Sequence, residues 1–157
     1  MRVDHPARPP GRGFTLIELM IAVAIVALLA AVALPSFLDS IRKSRRAEAF
    51  GAISAVQQAQ ERWRSGRTTY CSNLSAAPTA DPPGLNFPGT TANGYYTLAL
   101  SGVSGTGYTI TATAASSQTA DTRCKLLAAE VNGGNLRYGS GSSSSIDWAD
   151  PNRCWAK

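Results

Sequence analysis

Residues Phe14–Leu34 read FTLIELMIAVAIVALLAAVAL, and the rest of the chain is organised around this run. Nineteen of its 21 residues are apolar, the exceptions being Thr15 and Glu18. As a helix rising about 1.5 Å per residue, the run would be roughly 31 Å long, close to the thickness of a bilayer's hydrocarbon core. Three kinds of segment share that pattern. One is a secretory signal peptide with Ala31-Val32-Ala33 as its cleavage site. The second is a plain signal anchor, and the third is a helix that is first inserted and later becomes part of a polymer. Glu18 argues against the first two, because a carboxylate inside an apolar helix costs about 2.5–3.5 kcal/mol on insertion scales and needs a partner.

A cut between Gly13 and Phe14 supplies that partner. It creates an α-amine on Phe14, four residues before Glu18 and on the same face of a helix. Between neighbouring helices the pair becomes a register device, since a wrongly seated subunit would bury an unpaired charge. Residues 1–13 (MRVDHPARPPGRG) carry three arginines, one aspartate and three prolines and cannot form a helix of any length.

Gly13-Phe14-Thr15-Leu16-Ile17-Glu18-Leu19, following a short basic leader, resembles the class III signal sequence of type IV pilins and related pseudopilins. The resemblance implies that a prepilin peptidase cuts after Gly13 and N-methylates Phe14, and that Glu18 is the assembly glutamate. It also implies a single pass through the bacterial inner membrane with a periplasmic head, followed by incorporation into an extracellular fibre. The expected partners are other pilin subunits, the peptidase/N-methyltransferase and the inner-membrane assembly machinery.

Beyond the apolar run, Pro35 predicts a kink rather than an end, because the helical pattern resumes. Ala49, Ala52, Ile53, Val56, Ala59/Gln60 and Trp63 recur at three- and four-residue spacing, giving an amphipathic helix to about Arg64 with Ser65-Gly66 as its stop. Arg42, Lys43, Arg45 and Arg46 form a basic cluster, read as a solvated helix face partly paired with Asp39 and Glu48; phosphate or DNA contact is the sharper alternative. Charge counting would put this cluster in the cytoplasm, four cations against Arg2, Arg8 and Arg12, whereas the pilin resemblance puts it on the far side.

Residues 65–157 are rich in Gly, Ser and Thr. Residues 68–94 contain Pro78, Pro82, Pro83 and Pro88 and read as an irregular loop. Strand candidates are Gly94–Leu100, Tyr108–Thr113, Cys124–Val131 and Leu136–Tyr138, the last two joined by the hairpin signal Asn132-Gly133-Gly134-Asn135. Tyr95, Tyr96, Tyr108 and Ile110 read as core or sheet-face residues. The expected fold is α+β, a long kinked N-terminal helix packed on a small antiparallel sheet. Its parts are a leader (1–13), a membrane and polymerisation helix (14–34), the amphipathic half of that helix (35–64) and a globular head (65–157).

Three cysteines, Cys71, Cys124 and Cys154, permit one disulfide and leave one thiol over. If Cys124 pairs with Cys154, the loop closure is worth roughly 3.5–4 kcal/mol on the chain-entropy model. That pairing is what the resemblance implies. Gln118, Asp121, Cys124 and the terminal Cys154-Trp155 look like the PilE-like branch of minor pilins, in which the last two cysteines close the C-terminal region. Cys71 departs from that pattern.

The residues assemble no enzyme. The single histidine is His5, in the leader, so a processed chain has neither Ser-His-Asp chemistry nor a common zinc site. The stretch Gly102–Gly107 lacks the lysine of a phosphate-binding loop. No metal and no cofactor is expected. Asp147 and Asp150 are the only candidates for the late calcium site of type II secretion pseudopilins, the related secretion class. The average properties, a mean hydropathy of −0.08 and a net charge of +5, combine two dissimilar segments. Removing the leader leaves twelve basic against nine acidic side chains, a charge of +3. Arg123, Lys125, Arg137, Arg153 and Lys157 gather by sequence around the disulfide loop and are the candidate DNA or anion contacts of a DNA-uptake pilin.

Overall fold

The computed structural model describes residues 13–142, 144–150 and 153–155. Residues 1–12 of the expected leader and Lys157 of the expected basic set lie outside the described residues. One helix, α1, runs Leu16–Arg64 and continues through Pro35. The chain divides into two compact units, residues 1–39 and residues 40–157.

In the first unit the helix begins where its side chains can cap it. Thr15 is the N-cap, and its Oγ1 accepts the Glu18 backbone N–H at 3.2 Å. Thr15-Leu16-Ile17-Glu18 therefore has the spacing of a capping box, with an acidic residue in the first turn where the helix dipole favours it. From Leu16 onward the large apolar side chains are all exposed; Leu16, Ile17, Leu28 and Val32 each show more than 60% of their surface. A soluble protein would have to cover such a surface.

In the second unit α1 changes character. Its buried residues are Arg46, Ala49, Ile53, Val56, Ala59 and Gln60, a single stripe. Arg62 and Arg64 in the last turn face the negative end of the helix dipole. The stripe packs on a four-stranded antiparallel meander in the order β1-β2-β3-β4, formed by Tyr96–Ser101, Gly107–Ala114, Leu126–Asn132 and Asn135–Gly141. The register places Leu98 opposite Ala112, Ala112 opposite Leu127, and Ile110 opposite Ala129, so one face of the sheet meets the helix. These residues, with Tyr96, Tyr108, Ala49, Ile53 and Val56, form the core. The α+β fold is thus the one the sequence predicts.

The boundaries differ from expectation for local reasons. The third strand starts at Leu126 rather than Cys124, because Cys124 still belongs to a turn in which its N–H donates to the Asp121 carbonyl. The fourth runs on to Gly141 instead of stopping at Tyr138. Its glycines admit a strap: a Cβ on Gly139 would lie 2.7 Å from Ile146 and Trp148 side-chain atoms, and one on Gly141 would meet the Ser145 carbonyl. Ser140 and Asp147 bridge the strap to the strand. A 3-10 turn, Ser116–Ala120, precedes the third strand and had no periodic signal. The β3–β4 connection is the expected hairpin, with Gly133 and Gly134 both at positive φ.

Gly107 is fixed by close approach, since an added Cβ would strike the Val131 carbonyl on the paired strand. Gly107→Ala is therefore expected to lower the unfolding free energy by about 1–3 kcal/mol, as overpacking does. Chemical denaturation followed by circular dichroism checks this, and an unchanged midpoint would contradict it.

Candidate functional site

Two surfaces carry the candidate residues. The first is the start of α1. The helix begins at Leu16, so Phe14 lies one residue before the cap and outside the helix, and it does not share a helical face with Glu18 as the spacing suggested. The Thr15 cap ends the helix before Phe14 is reached.

The second surface is the junction of α1 with the 3-10 turn and the C-terminal segment. Arg46 is 8% exposed, and its guanidinium forks onto Asp121, Nε to Oδ2 at 2.6 Å and Nη2 to Oδ1 at 2.9 Å. Gln118, fully buried, sits beside the pair. Its Nε2 donates to Asp121 Oδ2 (3.1 Å), to the Tyr96 hydroxyl (3.0 Å) and to the Arg42 carbonyl (3.2 Å). Burial pushes the Tyr96 phenol up to about 12, against the opposing pull of the Gln118 hydrogen bond, so it stays neutral. The neighbouring Arg45 donates to Ser117 Oγ at 2.9 Å and lies over the Tyr95 ring at 4.5 Å.

Arg46 therefore departs from the expected solvated face, whereas Lys43 stays exposed. Arg46 points into the protein because its helical position falls on the buried stripe, and a buried guanidinium requires the carboxylate that Asp121 supplies. Glu48, expected to pair within the cluster, instead accepts from the Asn93 backbone N–H (2.9 Å) and Asn93 Nδ2 (2.7 Å). Burial would raise its carboxyl, but hydrogen bonds from Thr91 and Asn93 outweigh it and hold the group below its ordinary value.

Cys124 and Cys154 are joined by a disulfide, with Cα atoms 5.6 Å apart and both cysteines buried. Asp150 organises the segment leading into it. Its Oδ1 accepts from the Ser140 hydroxyl and, at 3.0 Å, from the Cys154 N–H; Oδ2 accepts from the Trp155 N–H at 3.2 Å. Asp147 Oδ1 caps the Ala149 N–H at 2.9 Å. The two aspartates are thus engaged in turn geometry. Trp155 stacks on Phe50 at 4.7 Å between ring centroids, contacts Tyr138 at 4.4 Å and donates from Nε1 to the Gly139 carbonyl.

Of the basic residues singled out, Arg137 is committed elsewhere: it is ion-paired to Glu130 and lies 4.5 Å over the Trp148 ring. Lys125 is half-buried, while Arg123 and Arg153 are exposed. Arg153 lines a cleft of about 630 Å³ together with Lys43, Arg46, Phe50, Asp150 and Trp155. Lys43 belongs to the helix cluster, which only the folded chain brings to Arg153. Cys71 is a free, buried thiol. Gln60 clamps the backbone there, its Nε2 donating to the Cys71 carbonyl and its Oε1 accepting the Cys71 N–H, both at 2.8 Å.

A long N-terminal helix, one half apolar and exposed and the other packed on an antiparallel meander, with a disulfide near the C-terminus, defines a pilin. Comparison with known proteins narrows the class. The family described as "Type IV minor pilin ComP, DNA uptake sequence receptor" matches residues 35–128, and the prokaryotic N-terminal methylation motif matches residues 10–34. Similar proteins include the fimbrial protein EcpC of Eikenella corrodens, 36% identical over 65% of this chain and 61% of EcpC. The type IV major pilin protein PilA of Myxococcus xanthus (strain DK1622) is 45% identical over 45% of this chain and 31% of PilA. A type IV major pilin protein PilE1 of Neisseria gonorrhoeae is 37% identical over 60% of this chain and 41% of PilE1. The matches thus span between about a third and three fifths of the length of these relatives. The chain belongs to the type IV minor pilin ComP family.

The buried pair makes a sharp prediction. Asp121→Ala leaves Arg46 buried without a counter-charge and should destabilise the head by about 3–5 kcal/mol, whereas the double change Arg46→Met/Asp121→Leu should restore most of that loss. Thermal unfolding of the three proteins measures both effects, and a double variant as unstable as Asp121→Ala would overturn the assignment.

Proposed function

We propose that the protein is a minor subunit of a type IV pilus, made as a single-pass membrane precursor and assembled through residues 14–34. The observation that carries this reading is the uncovered apolar surface of the first unit: the helix segment is long and apolar enough to cross a bilayer and has no side chain buried within the protein. In the membrane, lipid covers it; in a fibre, the helices of other subunits do. Hydrophobic packing supplies adhesion between subunits, and the charge at the helix start supplies register.

On this reading the prepilin peptidase cuts after Gly13 and methylates Phe14. The new amine meets the Glu18 carboxylate of a neighbour, and the head waits in the periplasm before extrusion. The position of Glu18 in the exposed first turn of the helix supports the pairing, because an acidic side chain at a helix start lies where a neighbouring amine can reach it. A carboxylate there that lost its partner would be stranded among apolar helices. Glu18→Ala should therefore leave insertion and processing intact, with N-methyl-Phe14 detected by mass spectrometry, while incorporation into pili falls severalfold. Normal incorporation of that variant, scored by immunoblotting sheared fibres, would defeat the register argument.

A second reading, a receptor for DNA during uptake, is favoured by one specific observation: the match to a family described as a DNA uptake sequence receptor over residues 35–128. Arg123, Lys125 and Arg153 of the head, with Lys157, are its candidate phosphate contacts, and Arg137 is a weaker one because Glu130 already holds it. Phosphate contacts predict that log affinity falls linearly with log salt, with a slope reduced by roughly one for each cation removed. Gel shifts of the purified protein with duplex DNA over a salt series test this; salt-insensitive or absent binding removes the role.

A further inference from the structure

The 630 Å³ cleft between α1 and the C-terminal segment combines two features whose use the pilus role leaves open. Its cations are unequally satisfied. Arg46 is neutralised by Asp121, and the Asp150 carboxylate is filled by Ser140, Cys154 and Trp155. Lys43 and Arg153 line the same cleft, and their side chains have no hydrogen-bonding or ionic partner among the described residues. Both residues are exposed; with Arg46 offset by Asp121 and the Asp150 carboxylate counted, the cleft keeps a net positive charge of one. The floor is aromatic, formed by Phe50 and Trp155 in stacked contact at 4.7 Å. Aromatic rings beside basic side chains are the residues enriched where protein meets the headgroup layer of a bilayer.

Chain connectivity says which anion the cleft meets. Lys43 follows Leu34, the last residue of the apolar run, by nine positions. Even a fully extended chain of nine residues spans at most about 32 Å, so whatever the intervening conformation, the cleft cannot leave the neighbourhood of the membrane while residues 14–34 are inserted. Lipid headgroups are then present at the high effective concentration of a tethered ligand.

We propose that this cleft docks the phosphate-bearing headgroups of anionic phospholipids, holding the head of the unassembled subunit against the membrane surface until it is withdrawn into a fibre. The inference rests on the reading of residues 14–34 as membrane-spanning. Lys43 and Arg153 pair with lipid phosphate, while Phe50 and Trp155 offer an apolar floor to the glycerol region.

The test uses the full chain in lipid nanodiscs made of phosphatidylcholine alone or mixed with phosphatidylglycerol, each containing a headgroup spin-labelled lipid. Paramagnetic broadening of the Phe50 and Trp155 amide signals is the readout. Co-purification of the chain with both discs tests membrane insertion separately, so its failure would fall on the spanning reading and not on the cleft. The tether alone gives some broadening in both discs; docking is expected to make it clearly stronger with phosphatidylglycerol, and added salt should remove that difference. At roughly fivefold per cation, Lys43→Gln/Arg153→Gln should lower the association about 25-fold without changing insertion. Equal broadening in both discs, or broadening unaffected by the double substitution, would overturn the proposal. So would saturation by inorganic phosphate with no response to phosphatidylglycerol, which would mark a site for free anions. A response to short duplex DNA with none to phosphatidylglycerol would overturn it as well, assigning the cleft to nucleic acid.

Discussion

The head is pinned to its helix by one buried ion pair. Arg46 enters the core from the helix and Asp121 enters from the turn before the third strand, 75 residues later in the chain. Neither could be buried alone, because an isolated charge in that environment costs several kcal/mol. Once paired, they fix more than each other. Gln118 is oriented by Asp121, Gln118 reaches the Tyr96 hydroxyl at the start of the sheet, and the Arg42 carbonyl accepts from the same amide. Hydrophobic contacts between the helix and the sheet are non-directional and would tolerate sliding; a forked guanidinium–carboxylate contact does not. Gln60 does the same at the other end of the buried stripe, four turns along, by taking both backbone groups of Cys71. The apolar stripe between Arg46 and Gln60 supplies adhesion, and the two polar ends set its register.

The same helix serves two solvents. Its residues up to Leu34 suit hydrocarbon or the interior of a fibre, and those from Arg46 suit the flank of a small sheet. The change falls within a continuous helix, so one element carries both the exposed apolar surface and the foundation of the head. Loosening the Arg46–Asp121 contact would therefore be felt as a sheet free to shift along its helix.

Much of this was legible in the residues. The apolar run, the stripe through Ala49, Ile53 and Val56, and the Gly133-Gly134 hairpin follow from spacing and backbone conformation alone, which are local properties. The acidic Glu18 and its neighbours marked the family because their combination is rare. What escaped was non-local. Arg46 reads as one of four cations in a run, and nothing nearby says that it turns inward; its helical phase, three residues before Ala49, was the available signal. The shared cleft of Lys43 and Arg153 brings together residues 110 positions apart, and no sequence period connects them. The extension of the fourth strand through Gly139 and Gly141 was hidden because glycines usually mark turns, whereas here Gly139 makes room for Ile146 and Trp148 and Gly141 for Ser145. Thr15-Leu16-Ile17-Glu18 was a visible capping box overshadowed by the family motif that contains it.

The sequestration of Cys71 bears on how the disulfide is chosen. Three thiols allow three pairings on oxidation, and two of them would tie Cys71 to the C-terminal region. In the folded head the Cys71 thiol is buried and donates to the Asn73 carbonyl at 3.2 Å, while Gln60 holds its backbone against the helix. The helix thus keeps Cys71 out of reach in the folded head, where Cys124 and Cys154 are the joined pair.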